Sequence, residues 1–236
     1  MNTKDNKSKK KTKKFGEYFG YDFGKVTGIV PVWLLMRPKV IRVGKNKAPK
    51  GAFMISSNHC TFLDPLFLHC IFWKRRICSL ATKDLYKNKL MTFILDSIHC
   101  IQVDKSNFNL NSFHEVTKQL KNGKVVMIFP EGQVNRNSKE MTAFKSGVVL
   151  MANTAKAPIV PVYLVPPKRW YNQRTAVVGD PIDVRELCGV MPTVDQMNGV
   201  GDYVQQKQEE LKEFYYNKIC PNREIEQNTV KKHQEA

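Results

Sequence analysis

Two side chains in the segment NHCTFLD have the types and spacing to move a proton. His59 is followed five positions later by Asp64. Histidine suits a general base because its ordinary pKa lies near neutral. A carboxylate on the other ring nitrogen would fix the tautomer and stabilise the imidazolium that forms. The pair could therefore take the proton of a hydroxyl group as that hydroxyl attacks a carbonyl carbon.

The same spacing also has a purely structural interpretation. Asp64 precedes Pro65, an order typical of a helix N-cap followed by a first-turn proline, and His59 would then be an ordinary loop residue. One carboxylate can serve both purposes, so the cap does not exclude the catalytic pair. The sequence contains no GxSxG segment, and we therefore expect the attacking hydroxyl to belong to a substrate.

The elements that must position these residues alternate between strands and helices. Buried apolar runs predict strands at 51–57, 76–82, 99–104, 124–129, 158–164 and 175–181. Helical spacing and helix-ending signals predict helices at 64–73, 84–95, 107–121, 141–155 and 203–219. This alternation predicts an α/β fold, with a mixed, largely parallel sheet flanked by helices. His59 would directly follow the first strand.

Ordered blocks of the sequence resemble the glycerolipid acyltransferase family that includes the 1-acylglycerol-3-phosphate acyltransferases. The resemblance covers roughly residues 50–182, and its blocks are NHCTFLD, ATKDL (81–85), IQVDK (101–105), FPEGQ (129–133) and FKSGVVLMANTAKAPIVPVYL (144–164). It implies the glycerolipid acyltransferase fold. It also implies transfer of a fatty acyl group from an acyl thioester of coenzyme A or acyl carrier protein to a lysophospholipid acceptor.

The resemblance implies a role for each matching residue. His59 would be the general base, Asp64 its orienting partner, and Glu131 and Gly132 would shape the acceptor site. Lys83 and Lys105 would bind the acceptor's phosphate, since a dianionic headgroup requires converging cations. The reaction would need no metal and no cofactor beyond the thioester co-substrate.

The sequence departs from the family pattern near the expected acceptor site. His99 stands where the second block usually begins with Gly, and Lys105 replaces its Arg, which loses the bidentate fork. Val134 occupies the place of an Arg in the third block, with Arg136 two residues later. We expect 1-acylglycerol-3-phosphate, acylated at its sn-2 hydroxyl to give phosphatidic acid, as the acceptor. Another lysolipid or glycerol 3-phosphate is the alternative.

The front of the chain is strongly basic. Residues 1–50 hold 14 Lys and Arg against three acids, which gives +11 of the total net charge of +17. We expect residues 1–14 to be a disordered Lys-rich tail and 15–45 an amphipathic interfacial segment that binds an anionic membrane. Packing of this segment on the protein's own core is the alternative. The acyltransferase domain would span 46–220, and 221–236 would be a polar tail.

Two other kinds of function compete with this interpretation. The charge and the aromatic residues of 15–23 would also permit nucleic-acid binding, but the charge is concentrated on the tail and no nucleic-acid-binding signature is present. An anionic-lipid-binding protein without catalysis is a further alternative, against which the intact His59, Asp64 and Glu131 argue. His-Cys occurs at 59–60, 69–70 and 99–100 without the spacing of a metal knuckle, so we expect no metal. The six cysteines contain no CxxC pair and no signal peptide is visible, which indicates reduced thiols. We therefore expect a peripheral or monotopic enzyme on the cytoplasmic face of the cell membrane.

Overall fold

A seven-stranded sheet forms the centre of the computed structural model. The described residues are 30–45, 47–89, 92, 95, 100–103, 110–130, 146–167 and 173–221. The strands are β1 (Lys39–Arg42), β2 (Phe53–Ser57), β3 (Ile77–Thr82), β4 (Ile101–Val103), β5 (Val125–Ile128), β6 (Ile159–Leu164) and β7 (Thr175–Val178). Their order in the sheet is β1-β7-β6-β2-β5-β3-β4.

Among these seven strands, every junction but one is parallel. β6 and β7 pair in antiparallel fashion, which reverses β7 and its parallel partner β1 relative to the other five strands. β2 lies at the centre between β5 and β6 and is buried at all five positions. The prediction of a mixed, largely parallel sheet is confirmed.

Helices flank the sheet within the described part of the chain. They are α1 (Asp64–Ile71), α2 (Leu110–Lys121), α3 (Ser146–Ala155), α4 (Val184–Cys188) and α5 (Val194–Phe214), with a 3₁₀ helix at Lys83–Lys87 and a π-helical turn at Tyr215–Ile219. Residues 30–36 are also helical. Across the described ranges, every helix falls short of the length and apolarity that a bilayer-spanning segment requires.

Alternate residues of β2 build two apolar layers, because successive side chains of a strand point to opposite faces. Phe53 and Ile55 pack in the layer that contains α1. Met54 packs in the opposite layer, together with α2, α3 and α5. Met36, at the end of the helical residues 30–36, is 1% exposed and belongs to the α1 layer.

The carboxyl ends of the neighbouring strands β2 and β5 create an opening in this fold. The helix that follows β2 lies on one face of the sheet, and the next described helix after β5 lies on the other face. Parallel strands whose following helices diverge in this way leave a crevice at their carboxyl ends. His59 follows β2 at this edge.

The exact bounds differ from the predictions at several elements. β1 lies within the segment 15–45, whose expected role is interfacial; its charged ends suit an edge strand. α5 begins at Val194 and not at residue 203, because Thr193 and Gln196 form a capping box that starts the helix earlier. The expected helix 84–95 overlaps the short 3₁₀ helix Lys83–Lys87, which begins one residue earlier.

Candidate active site

Asn58 holds the end of β2 against the end of β6. Its side-chain oxygen accepts a hydrogen bond from the backbone N–H of Leu164 at 2.7 Å, and its amide nitrogen donates to the Leu164 carbonyl at 2.9 Å. The backbone ladder between β2 and β6 ends at Ser57. The two bonds of the Asn58 side chain therefore extend the connection between these strands by one residue. The chain is therefore fixed immediately before His59.

The Asp64 carboxylate gathers the loop that follows. Its Oδ2 accepts hydrogen bonds from the backbone N–H groups of Cys60 at 2.6 Å and Thr61 at 2.7 Å. The same oxygen lies 3.1 Å from His59 Nδ1. The Thr61 hydroxyl donates to Oδ1 at 2.6 Å. A single buried carboxylate thus orders the backbone and side chains of the whole loop.

The prediction that Asp64 is the N-cap of α1 is wrong by one residue. Leu63 is the N-cap of α1 and makes no side-chain capping bond, while Asp64 and Pro65 are the first two helical residues. The Asp64 side chain turns back into the loop and bonds N–H groups that precede the helix. Asp64 therefore orders the loop rather than capping the helix.

The environment keeps Asp64 ionised and sets the tautomer of His59. Burial by itself raises the pKa of the Asp64 carboxyl, but the hydrogen bonds from His59 and Thr61 outweigh it, so the pKa lies below its ordinary value. An ionised carboxylate only accepts hydrogen bonds, so His59 Nδ1 must carry a proton and donate. In the neutral ring, Nε2 then has the lone pair that a general base needs.

His59 is partly exposed at the carboxyl edge of β2. Its side chain is 15% exposed, whereas that of Asp64 is 1% exposed. The ring stacks on Phe129, which directly follows β5, with ring centroids 4.1 Å apart and planes 19° apart. Asp64 fixes one edge of the imidazole and Phe129 one of its faces. The geometry is that of an oriented and partly exposed base.

Arg174 joins this cluster, although no sequence motif predicts it there. Its Nη1 lies 2.9 Å from Asp64 Oδ1 and its Nη2 donates to Thr61 Oγ1, also at 2.9 Å. The side chain is 3% exposed. Arg174 precedes β7 and is 110 residues from Asp64 in the chain, so no local spacing connects the two.

The predicted substrate-binding residues are only partly described. The backbone of Lys83 begins the 3₁₀ helix directly after β3, at the same edge of the sheet as His59. Lys105, Glu131 and Gly132 lie outside the described residues. Phe129 and Pro130, the first two residues of the FPEG block, are described, and the stacking of Phe129 brings the start of this block to His59.

The His-Cys dipeptide in α1 is part of the core. His69 Nε2 lies 3.3 Å from Ser79 Oγ in β3, and both residues are buried. Burial raises the pKa of the thiols of Cys70 and Cys78 to about 11, which makes both poor metal ligands at neutral pH. In the described part of the chain, no group of three His, Cys, Asp or Glu residues is arranged to hold a metal ion.

Comparisons with known proteins identify the family of the chain. The chain is similar to 1-acyl-sn-glycerol-3-phosphate acyltransferase of Bacillus subtilis, with 27% identity over 172 residues that make up 71% of this chain and 84% of that protein. It is 30% identical over 153 residues to a probable 1-acyl-sn-glycerol-3-phosphate acyltransferase of Mycoplasma pneumoniae, of which it covers 56%.

A solved structure shares the fold. The crystal structure of the 1-acyl-sn-glycerophosphate (LPA) acyltransferase PlsC from Thermotoga maritima superposes with a TM-score of 0.59 over 91% of this chain and 84% of that chain, at 17% sequence identity. The family model named Acyltransferase matches residues 39–165, which are 127 of the 236 residues. That range contains β1 to β6, His59 and Asp64. The resemblance inferred from the sequence blocks is thereby confirmed: the chain belongs to the Acyltransferase family and is an enzyme of acyl transfer.

Proposed function

We propose that the protein transfers a fatty acyl group from an acyl thioester to the sn-2 hydroxyl of 1-acylglycerol-3-phosphate, which yields phosphatidic acid for phospholipid synthesis. The observation that carries the proposal is the His59–Asp64 pair, oriented at 3.1 Å, with the His59 side chain partly exposed at the carboxyl edge of β2. The relatives named above carry this acceptor in their names.

The proposed mechanism accounts for each proton in the reaction. His59 Nε2 takes the proton of the acceptor hydroxyl while its oxygen attacks the thioester carbonyl carbon. The carbonyl oxygen becomes an oxyanion in a tetrahedral intermediate. The intermediate then collapses, the carbon–sulfur bond breaks, and the thiolate leaves with the proton that His59 held. Asp64 stabilises the transient imidazolium and is not itself protonated.

The proposed donor is an acyl thioester of coenzyme A or acyl carrier protein. A thioester supplies both the activated carbonyl and a good leaving group, so the reaction needs no additional cofactor. The acceptor itself brings the nucleophile, in agreement with the lack of a GxSxG segment in the chain. A labelled acyl group should therefore appear in product without a stable acyl-enzyme.

The proposed binding of the acceptor's phosphate depends on cations. Lys83 and Lys105 are the proposed ligands, and Glu131 and Gly132 are proposed to shape the acceptor site. Lys83 is supported by its position directly after β3, at the same sheet edge as His59. An excess of positive charge, +17 over the whole chain, also favours an anionic substrate at an anionic surface.

A peripheral position on the cytoplasmic face of the membrane fits the front of the chain. Val30, Trp33, Leu34 and Leu35 expose between 41% and 63% of their surfaces. An apolar helix face beside a basic tail is typical of interfacial binding to anionic lipid. Met36 is buried, so point substitutions test this better than removal of the segment. Trp33→Ser with Leu34→Ser should weaken binding to anionic vesicles while thermal unfolding stays unchanged; unchanged vesicle binding would argue against a membrane role.

An acceptor screen tests the proposed substrate. One labelled acyl thioester is offered with 1-acylglycerol-3-phosphate, glycerol 3-phosphate, and neutral or amino lysolipids. We expect the highest kcat/KM with 1-acylglycerol-3-phosphate. A preference for glycerol 3-phosphate or a neutral lysolipid would replace the proposed acceptor but keep acyl transfer. Binding to DNA at the salt concentration that permits vesicle binding, without any acyl transfer, would favour a nucleic-acid-binding protein.

A further inference from the structure

Arg174 closes a ring of hydrogen bonds around the carboxylate that orients His59. One nitrogen of its guanidinium pairs with Asp64 Oδ1 and the other donates to Thr61 Oγ1, both at 2.9 Å. The Thr61 hydroxyl in turn donates to Asp64 Oδ1 at 2.6 Å. A planar guanidinium has its donors in a fixed fork, so it can hold both partners in one geometry.

The backbone and side chain of Arg174 are held from several directions. Its backbone N–H donates to the carbonyl of Met36 at 2.9 Å, and its backbone carbonyl accepts from the backbone N–H of Lys39 at 2.8 Å. The guanidinium carbon lies 5.9 Å from the centroid of the Phe67 ring in α1. Arg174 therefore acts as a fixed support for the loop of Asp64, rather than as a mobile surface charge.

Stability alone does not explain a buried arginine here. Arg174 Nε is buried and has no hydrogen-bond partner among the described residues. An unsatisfied buried N–H costs free energy, and buried ion pairs are often no more stabilising than well-packed apolar residues. The guanidinium binds Oδ1 of Asp64, while His59 binds Oδ2. Arg174 therefore fixes the carboxylate and leaves the other oxygen to His59.

The carboxylate that Arg174 fixes is the one that orients the imidazole. Asp64 Oδ1 binds Arg174 and the Thr61 hydroxyl, while Oδ2 lies 3.1 Å from His59 Nδ1. Because a carboxylate group is planar and rigid, fixing Oδ1 also fixes the position of Oδ2. Arg174 therefore acts on His59 through Asp64.

We propose that Arg174 is a positioning residue for acyl transfer: it holds Asp64 and Thr61 in place and thereby orients His59. The inference rests on the proposed role of His59 as the general base. It adds a third member to the pair.

The test compares kcat and KM for three variants. Arg174→Gln removes the charge and the fork. We expect kcat to fall at least roughly tenfold while KM for both substrates changes much less, because a misplaced base acts on the chemical step. Arg174→Lys keeps the charge but loses the fork, and we expect it to restore part of the lost kcat.

Arg75→Gln is the matched control. Arg75 also binds loop groups through its guanidinium, donating to the carbonyls of Pro49 at 2.8 Å, Lys50 at 2.6 Å and Gly51, and it lies 5.3 Å from the ring centroid of Phe53. Its bonds lie before β2, at the opposite end of the strand from His59. This variant should lose stability without a fall in kcat.

Two outcomes distinguish failure of this inference from failure of the proposed function. If His59→Ala abolishes turnover but Arg174→Gln lowers kcat no more than Arg75→Gln, Arg174 is only a structural residue and the inference is overturned. If His59→Ala keeps wild-type turnover, the proposed base is wrong and the inference falls with it. If Arg174→Gln does not fold, Arg174→Lys decides: wild-type kcat in the folded variant despite the lost fork would contradict the inference.

Discussion

Replacing Asp64 by asparagine is the most informative perturbation of the loop, because the shape is kept and only the charge and one acceptor are lost. The wild-type carboxylate faces donors on both oxygens: His59 Nδ1 and two backbone N–H groups on Oδ2, Arg174 and the Thr61 hydroxyl on Oδ1. An amide has one acceptor oxygen and one donor nitrogen. Either orientation of the new amide in Asp64→Asn must therefore place an NH₂ group against donors.

The orientation that satisfies Arg174 damages catalysis. With the amide oxygen toward Arg174, the NH₂ group faces His59 Nδ1, which must then accept a hydrogen bond. The proton moves to Nε2, and the lone pair that should take the substrate's proton is lost. The same replacement in a Ser-His-Asp triad lowers kcat by about 10⁴-fold, and we expect a fall of about 10³- to 10⁴-fold here with a smaller change in KM.

The opposite orientation mainly damages stability. With the amide nitrogen toward Arg174, the guanidinium stays buried without a counter-charge. Breaking a buried ion pair by removing one partner costs about 3–5 kcal/mol. Steady-state kinetics and urea unfolding on the same preparations measure both effects. Turnover within about tenfold of wild type in a folded Asp64→Asn variant would refute the assignment of Asp64 as the partner that sets the His59 tautomer.

Three further predictions concern the same loop. The folded state lowers the pKa of Asp64 below its ordinary value of 3.8. The contribution of this carboxylate to stability is therefore complete above that value and is lost as the pH falls through the folded pKa. The difference in unfolding free energy between wild type and Asp64→Asn should be constant above about pH 5 and shrink below about pH 4. Asn58→Ala leaves two groups of Leu164 without their bonds and should destabilise the fold by about 2–4 kcal/mol in urea unfolding; a loss under about 1 kcal/mol would show that water replaces the amide. Phe129→Ala removes the ring stacked on His59 and should lower kcat by about tenfold, with KM for the acyl donor much less affected; unchanged kcat would mean that Asp64 alone orients the imidazole.

Much of the sheet could be predicted from the sequence because its strands are continuous apolar runs. β2, β5 and β6 are buried at every position. Fully buried strands of this kind can be recognised from the local sequence alone. β1 could not be predicted because a four-residue edge strand with Lys39 and Arg42 at its ends resembles any basic segment. Its strand character comes from pairing with β7, which the local sequence does not encode.

The helices show where local signals mislead. The sequence predicts α5 only from residue 203, because Gly199 and Gly201 resemble a loop. Gly201 is instead buried within the helix, and the capping box of Thr193 and Gln196 places the N-cap at Thr193. Tertiary packing here overrides the low helix propensity of glycine.

The candidate site also has one part that the local sequence predicts and another that it does not. His59 and Asp64 lie in one short segment, so their contact could be anticipated from spacing together with the strand before them. Arg174 and Phe129 reach the cluster only because β7 begins and β5 ends beside it, and this depends on the strand order of the whole sheet. The roles proposed for Lys83, Lys105, Glu131 and Gly132 stay predictions.

The central claim is that His59 is the base for acyl transfer, and its replacement tests this most directly. His59→Ala is assayed with 1-acylglycerol-3-phosphate and a labelled acyl thioester, beside His114→Ala as a control, since His114 is exposed on α2. We predict that His59→Ala lowers kcat by at least about 10³-fold with folding retained, while His114→Ala keeps wild-type turnover. Wild-type turnover in folded His59→Ala would contradict the account.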